Sequence, residues 1–323
     1  MLPMFRAFLS RRPSAVILAL AALLASCGGS SSSTSSNQVE PFKPNRIISF
    51  GDETSAILTD GRHFGVNGLN PETRQFDCTL NPTWNQQLAS SFGMIYAQCN
   101  PYGLAVPQGK LFAEAGYRVS DVSDKLDQFL ADDHLGPKDL VTFLVGMNDV
   151  IEIYRQFPAQ NRESLIAEAK ARGTRLADLI NRIANANGRV IVSTIYDMGL
   201  TPFALMEKEN RTDVDRAVLL DDLSQAFNTA LRVRLLNDGR YIGLVLADET
   251  VQQMARFPYA FGLANVSQGA CRSNVSAQSC SSDTLLADAA ISTWLWATDT
   301  LLTPSVQSRI GQIAIQRAHN NPF

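Results

Sequence analysis

Four short apolar runs, separated by amphipathic stretches, set the strongest limit on what this chain can fold into. Arg46-Ile-Ile-Ser-Phe50, Asp139 to Val145, Arg189 to Ile195 and Tyr241 to Ala247 are nearly unbroken in Val, Ile, Leu and Phe. A strand with one face in water alternates apolar and polar residues, whereas runs without that alternation suit parallel strands covered on both faces. Helical patterns lie between the runs. Ser120 to Leu130 carries Val122, Leu126, Phe129 and Leu130 on one face, with Ser120 placed as an N-cap. Ser164 to Ala186 is a long amphipathic stretch closed by Gly188. Asp213 to Leu236 sets Ala217, Leu220, Leu223, Phe227, Ala230 and Leu231 near one stripe and stops at Gly239. Strand and helix in alternation predict a three-layer α/β/α domain with a doubly wound, mostly parallel sheet. Such sheets collect functional groups at the carboxyl ends of their strands, which singles out Asp52, Gly146 and Asp248.

Residues 1–44 read differently. Arg6, Arg11 and Arg12 precede a ten-residue apolar run, Ala15 to Leu24, which is too short to span a bilayer. Leu24-Ala25-Ser26-Cys27, followed by Gly28-Gly29 and the serine tract, is similar to a bacterial lipobox. The expectation is a signal peptide over 1–26, a lipidated Gly/Ser-rich tether over 27–44 and a folded domain over 45–323. Several acyl chains on Cys27 would hold the protein to a membrane. With no aspartate after Cys27, the outer membrane of a bacterial envelope is the expected location. Losing three arginines with the signal takes the formal charge from −3 to −6. No basic block remains, and no nucleic-acid partner is expected.

Apart from Cys27, the chain has Cys78, Cys99, Cys271 and Cys280. An even number in an exported chain suggests two disulfides, with three possible pairings. Cys78–Cys99 and Cys271–Cys280 are favoured because each closes a local loop rich in Asn, Ser and Pro. These loops sit in two long polar and aromatic insertions, 60–107 and 257–282. The cysteine spacing and the three histidines, His63, His134 and His319, offer no zinc pattern, and neither metal nor cofactor is expected.

Five blocks resemble the SGNH hydrolases, the GDSL lipases and esterases. They are Ile48-Ser-Phe-Gly-Asp-Glu-Thr-Ser55, Phe112-Ala-Glu-Ala-Gly-Tyr-Arg-Val-Ser120, Val145-Gly-Met-Asn-Asp149, Pro258-Tyr-Ala-Phe-Gly-Leu-Ala-Asn265 and Trp294-Leu-Trp-Ala-Thr-Asp-Thr-Leu-Leu-Thr-Pro304. The resemblance runs from about residue 45 to about residue 314. It implies ester hydrolysis by a first-block serine, with a last-block histidine as base and an aspartate three residues earlier orienting it. Backbone N–H groups of the serine and the second-block glycine, with the third-block asparagine, would hold the oxyanion.

The chain departs from that pattern at all three triad positions. Glu53 stands at the nucleophile, Thr298 at the aspartate and Leu301 at the histidine, while Gly116 and Asn148 remain. Using Asp299 as the acid puts Leu302 at the base, so no frame restores it. Thr54 and Ser55 are hydroxyls one and two residues beyond the nucleophile position. His134 falls at the amino end of the sheet, His319 in the tail, and His63 in a loop after the first block. Asn148-Asp149 either caps the following helix or contacts a ligand. Asp52 reads as a structural residue of the turn, and Trp294 and Trp296 as core. The resemblance and its missing residues together imply an envelope protein that binds an acyl, glycan or protein ligand in the inherited cleft. An active ester hydrolase using Glu53, and a structural envelope protein, are the alternatives. The oligomeric state stays open. Glu53 is expected at the start of a helix, its carboxylate held by Gly116 and Asn148.

Overall fold

A computed structural model describes residues 41–320. Residues 1–40, with the expected signal peptide, Cys27 and most of the tether, lie outside the described residues. Five parallel strands form the central sheet: β1 (Arg46–Gly51), β2 (Gly109–Ala113), β3 (Asp139–Leu144), β4 (Arg189–Ser193) and β5 (Ile242–Val245). Their order is β2-β1-β3-β4-β5. The chain therefore steps one way from β1 to β2 and then back across β1 to β3. Right-handed crossovers in opposite directions send the connecting helices to opposite faces. On one face α2 (Val119–Asp132) packs on α4 (Arg162–Asn185), and α4 on α6 (Arg216–Arg234), which α5 (Pro202–Asn210) also contacts. On the other, α1 (Trp84–Ser91) packs on α8 (Pro304–Asn320). This is the doubly wound three-layer α/β/α architecture expected from the apolar runs.

The runs fold as they do because both faces of each strand are covered. All six residues of β3 are buried. Phe50 stacks on Phe112 of β2 and Phe143 of β3 at 5.2 and 5.4 Å, its register partners on either side. β2 was not among the expected strands: Gly-Lys-Leu-Phe-Ala is short, lies at the sheet edge and exposes Lys110.

Ends of α2, α4 and α6 differ from the sequence expectation. The N-cap of α2 is Arg118, not Ser120, because Asp121 reaches back to the Arg118 N–H at 2.9 Å and Asp149 takes the Val119 N–H. α4 closes on Asn187, which adopts φ +63°, with Gly188 donating to the Ile183 carbonyl one step later. An asparagine tolerates that left-handed conformation better than most residues, so it takes the position assigned to glycine. α6 runs from an Asp215 N-cap to Arg234 and never reaches Gly239. Asp213 pairs instead with Arg216.

The insertions are pinned by the two favoured disulfides, Cys78–Cys99 and Cys271–Cys280. The second insertion also supplies β6 (Asn265–Gly269), which pairs with β7 (Trp294–Trp296) in a small parallel sheet. Trp294 and Trp296 are buried, as expected of core residues, and Trp296 Nε1 donates to the Val266 carbonyl.

Candidate functional site

The order of the sheet places its switch point between β1 and β3, where diverging crossovers leave a crevice beyond the carboxyl ends. Glu53 lies two residues past β1, Gly116 three past β2, and Asn148 four past β3. These three residues meet there. Glu53 Oε2 accepts the Gly116 N–H at 2.9 Å and the Asn148 Nδ2 at 2.8 Å. Asn148 Nδ2 also donates to the Tyr117 carbonyl at 3.2 Å, which fixes the amide between the two loops.

Each donor is aimed by its own backbone. Gly116 has φ +82°, a left-handed conformation that turns its N–H toward Glu53 and strains any residue with a Cβ. Gly146, at φ +132°, lets β3 pass into α3 (Met147–Tyr154) without a loop. A Cβ there would lie 2.5 Å from Phe227 Cζ. Glu53 itself is held by a turn, not by a helix. Asp52 Oδ1 accepts both the Thr54 N–H, at 3.0 Å, and its hydroxyl, at 2.6 Å, and Ser55 N–H bonds back to the Asp52 carbonyl. The chain then leaves for the first insertion and enters its first described helix only at Trp84. The expected helix N-terminus at Glu53 is therefore absent, because the Asp52 side chain closes a turn in its place.

Asp52 is fully buried, and its Oδ2 has no hydrogen-bond partner among the described residues. Burial, reinforced by the adjacent Glu53 charge, holds its carboxyl well above the usual carboxylate range. The hydroxyls beyond the turn are both spent inward. Thr54 is taken by Asp52. Ser55 is buried, its Oγ accepting from Trp84 Nε1 at 2.9 Å and its carbonyl from Asn85. Neither faces the cleft.

The last block forms a tight hairpin. Ala297 N–H bonds to the Leu301 carbonyl at 2.7 Å, and the Thr298 hydroxyl accepts the Leu301 N–H at 3.1 Å. The Leu301 side chain is buried in the main core. The Thr300 carbonyl accepts the hydroxyl of Tyr196 at 2.7 Å. Burial, then the charges of Asp52, Glu53 and Asp299, push that phenol well above its ordinary range. Tyr196 escaped the sequence reading, although its place three residues beyond β4 is a strand-end signal of the kind that marked Asp52.

Asp149 does not cap the helix it belongs to. Its Oδ2 accepts the first free N–H of α2, from Val119, at 2.9 Å, and its Oδ1 accepts from Arg172 of α4 at 3.2 Å. The loop bearing Gly116 and the helix bearing Asn148 are thereby tied to one carboxylate. Burial pushes that group up to about 6, against the pull of the Val119 N–H and Arg172.

The histidines lie elsewhere. His134 is exposed between α2 and β3, at the amino edge. His319 stacks on Phe92 and bonds to Ser91. His63 is buried beside the last block, near the Leu302 carbonyl and Ala297 through Gly65, and among the described residues bonds backbone groups and the Asn67 amide. Burial pushes its imidazole down, and none of its hydrogen bonds goes to Glu53 or Asn148. Asp248 is engaged by Thr194, Asn228 and Arg232 at the far side of the sheet, where it joins β4, α6 and α7 (Ala247–Arg256).

Comparison with known proteins agrees with the first four blocks; the last block, 294–304, lies outside the matched region. The family model described as GDSL-like Lipase/Acylhydrolase matches residues 47–266. The phosphatidylcholine-sterol acyltransferase of Aeromonas hydrophila is 27% identical over 237 residues, which are 70% of this chain and 65% of that protein. The chain thus spans less than two thirds of that relative's length. Similar solved structures include a lipolytic protein of the G-D-S-L family from Veillonella parvula, with a TM-score of 0.41 and 12% identity over 84% of this chain and 95% of that one. Another is the acetylxylan esterase Axe2 of Geobacillus stearothermophilus, with a TM-score of 0.42 and 11% identity over 86% and 95%.

Proposed function

The chain belongs to the GDSL-like lipase/acylhydrolase family, and we propose that it is an envelope lipoprotein that binds an acyl-bearing ligand at the family site without hydrolysing it. The observation that carries this reading is the pair of hydrogen bonds from Gly116 and Asn148 to Glu53. In a hydrolase those donors must be free to receive negative charge as it develops on the substrate oxygen. Here a carboxylate already takes them, and a second anion brought to the same donors meets its repulsion. The base is missing as well, since Leu301 is an apolar side chain packed into the core. Removing triad members costs on the order of 10⁴–10⁶ in kcat, leaving about 10³–10⁴ over the uncatalysed rate. The similarity to a phosphatidylcholine-sterol acyltransferase supports an acyl-bearing ligand over a glycan or protein at this site.

The test is the hydrolysis of p-nitrophenyl butyrate by the mature protein beside a Glu53→Ala, Asn148→Ala double variant. Equal rates are expected. A wild-type rate well above that of the double variant overturns the proposal in favour of an ester hydrolase in which Glu53 does the chemistry.

A further inference from the structure

We propose that the groove beside the Cys78–Cys99 disulfide is a second binding site, for a neutral glycan. The groove encloses about 410 Å³, within the range of small-ligand sites, between α1, α8 and the first insertion. Glu53, Gly116 and Asn148 do not line it, so it is separate from the site at the carboxyl edge.

Its chemistry is selective. None of its sixteen lining residues is Asp, Glu, Lys, Arg or His, although 18% of the chain is charged. A charged ligand would lose hydration there and gain no countercharge. The polar groups offered are amides and hydroxyls, including Gln87, Gln312 and Ser90, and these both donate and accept as sugar hydroxyls require. Gln312 is exposed, and its side chain makes no hydrogen bond to another described residue. The apolar part, Met94, Ile95 and Ile315, gives a floor for C–H faces.

The rim carries the second observation. Tyr102 is 79% exposed, at the tip of a hydrogen-bonded turn. Asn100 closes that turn twice, donating to the Leu104 carbonyl and accepting its N–H, both at 2.8 Å. Gly103 N–H bonds to the Asn100 carbonyl, and Cys99 bolts the base of the turn to Cys78. An aromatic ring presented to water on a fixed turn loses little conformational entropy on binding, which suits a platform for stacking. An apolar chain makes no use of the amides, whereas a pyranose matches both the ring and the amides.

Calorimetry on the mature protein with chitotetraose, an uncharged N-acetylglucosamine oligomer, tests this. A Kd on the order of 10⁻⁴ M is expected. Tyr102→Ala should weaken binding about tenfold and Gln312→Ala about threefold, while Tyr102→Phe, which keeps the ring, should stay near wild type. The cationic tetramer of glucosamine should bind at least about tenfold more weakly. Absence of binding overturns the proposal, as does binding that ignores Tyr102. Loss of binding in Asn148→Ala would place the sugar at the other site, and uptake of 1-dodecanol in preference to the sugar would make the groove a lipid site. Either outcome is equally fatal.

Discussion

A carboxylate is the one common side chain that can fill an oxyanion hole permanently, because it presents the charge that the transition state develops only briefly. In the proposed reading Glu53 does so with two hydrogen bonds, and the contact was legible in the sequence because all three partners fall in blocks that resemble the family's motifs. Restoring the nucleophile alone should not restore catalysis. Glu53→Ser frees the donors, but no described histidine is bonded near them. Only Glu53→Ser with Leu301→His and Thr298→Asp is expected to gain esterase activity. The Thr298 hydroxyl already bonds the residue-301 N–H, so an aspartate there starts beside the new imidazole. The comparison of single and triple variants on p-nitrophenyl butyrate decides it, and a single Glu53→Ser variant as active as the triple one refutes the assignment of Leu301. Leu301 is only 4% exposed, so a polar ring there should cost about 1–3 kcal/mol of stability, measurable by urea unfolding. Gly116→Ala should cost about 1–2 kcal/mol at φ +82° and displace the N–H that Glu53 uses. What the sequence did not disclose is the state of Asp52. Its neighbours Glu53 and Thr54 are visible in the chain, but its complete burial arises only in the folded packing.

At the scale of elements, the question is what keeps Gly116 and Asn148 within reach of one oxygen. They belong to different crossovers, and Asp149 joins them by accepting from the start of α2 and from Arg172. Arg172 in turn pairs with Glu152 of α3 and Glu168 of its own helix. Neither link was legible in the sequence: the Asn-Asp pair pointed to the helix it opens, whereas the N–H group it satisfies lies 30 residues earlier. The strands were legible for the opposite reason. Burial on both faces writes itself into β1, β3, β4 and β5 as continuous apolar runs, while β2 at the edge leaves no such mark. Because burial raises Asp149 from an unfolded value near 3.8 to about 6, the folded state holds its proton more tightly. That contribution to stability is complete below about pH 4 and is lost as pH rises through 6. Asp149→Asn removes it. The stability of the wild type relative to Asp149→Asn, measured in urea from pH 4 to 7, should therefore fall as pH rises, and a constant difference would show that Asp149 does not titrate in this window. The disulfides act on the unfolded chain. The Cys78–Cys99 bridge spans 21 residues, and replacing both cysteines with alanine should cost about 3 kcal/mol and loosen the Tyr102 turn.

Across the whole molecule, the chain enters the folded domain at one edge of the sheet and presents the Glu53 site at the other. Asn45 N–H bonds to the Lys138 carbonyl just ahead of β1 and β3, and Arg189 at the start of β4 lies over the Phe42 ring at 4.8 Å. The site begins where those same strands end. No helix among the described residues is long and apolar enough to cross a membrane. In the proposed lipoprotein, attachment is a property of Cys27, separate from the fold that carries the cleft. The two should then come apart by mutation. Cys27→Ser should abolish labelling by radioactive palmitate, since the acyl chains have no other proposed attachment point, and should move the protein from the membrane fraction to the soluble one. Globomycin, which blocks cleavage at a lipobox, should leave the wild type as a full-length precursor. The urea midpoint of the domain should not change in Cys27→Ser, because β1 starts nineteen residues later. Undiminished palmitate labelling of Cys27→Ser would refute the anchor. A lowered urea midpoint would instead mean that the segment around Cys27 helps to hold the domain together, so that attachment and fold are not separate after all.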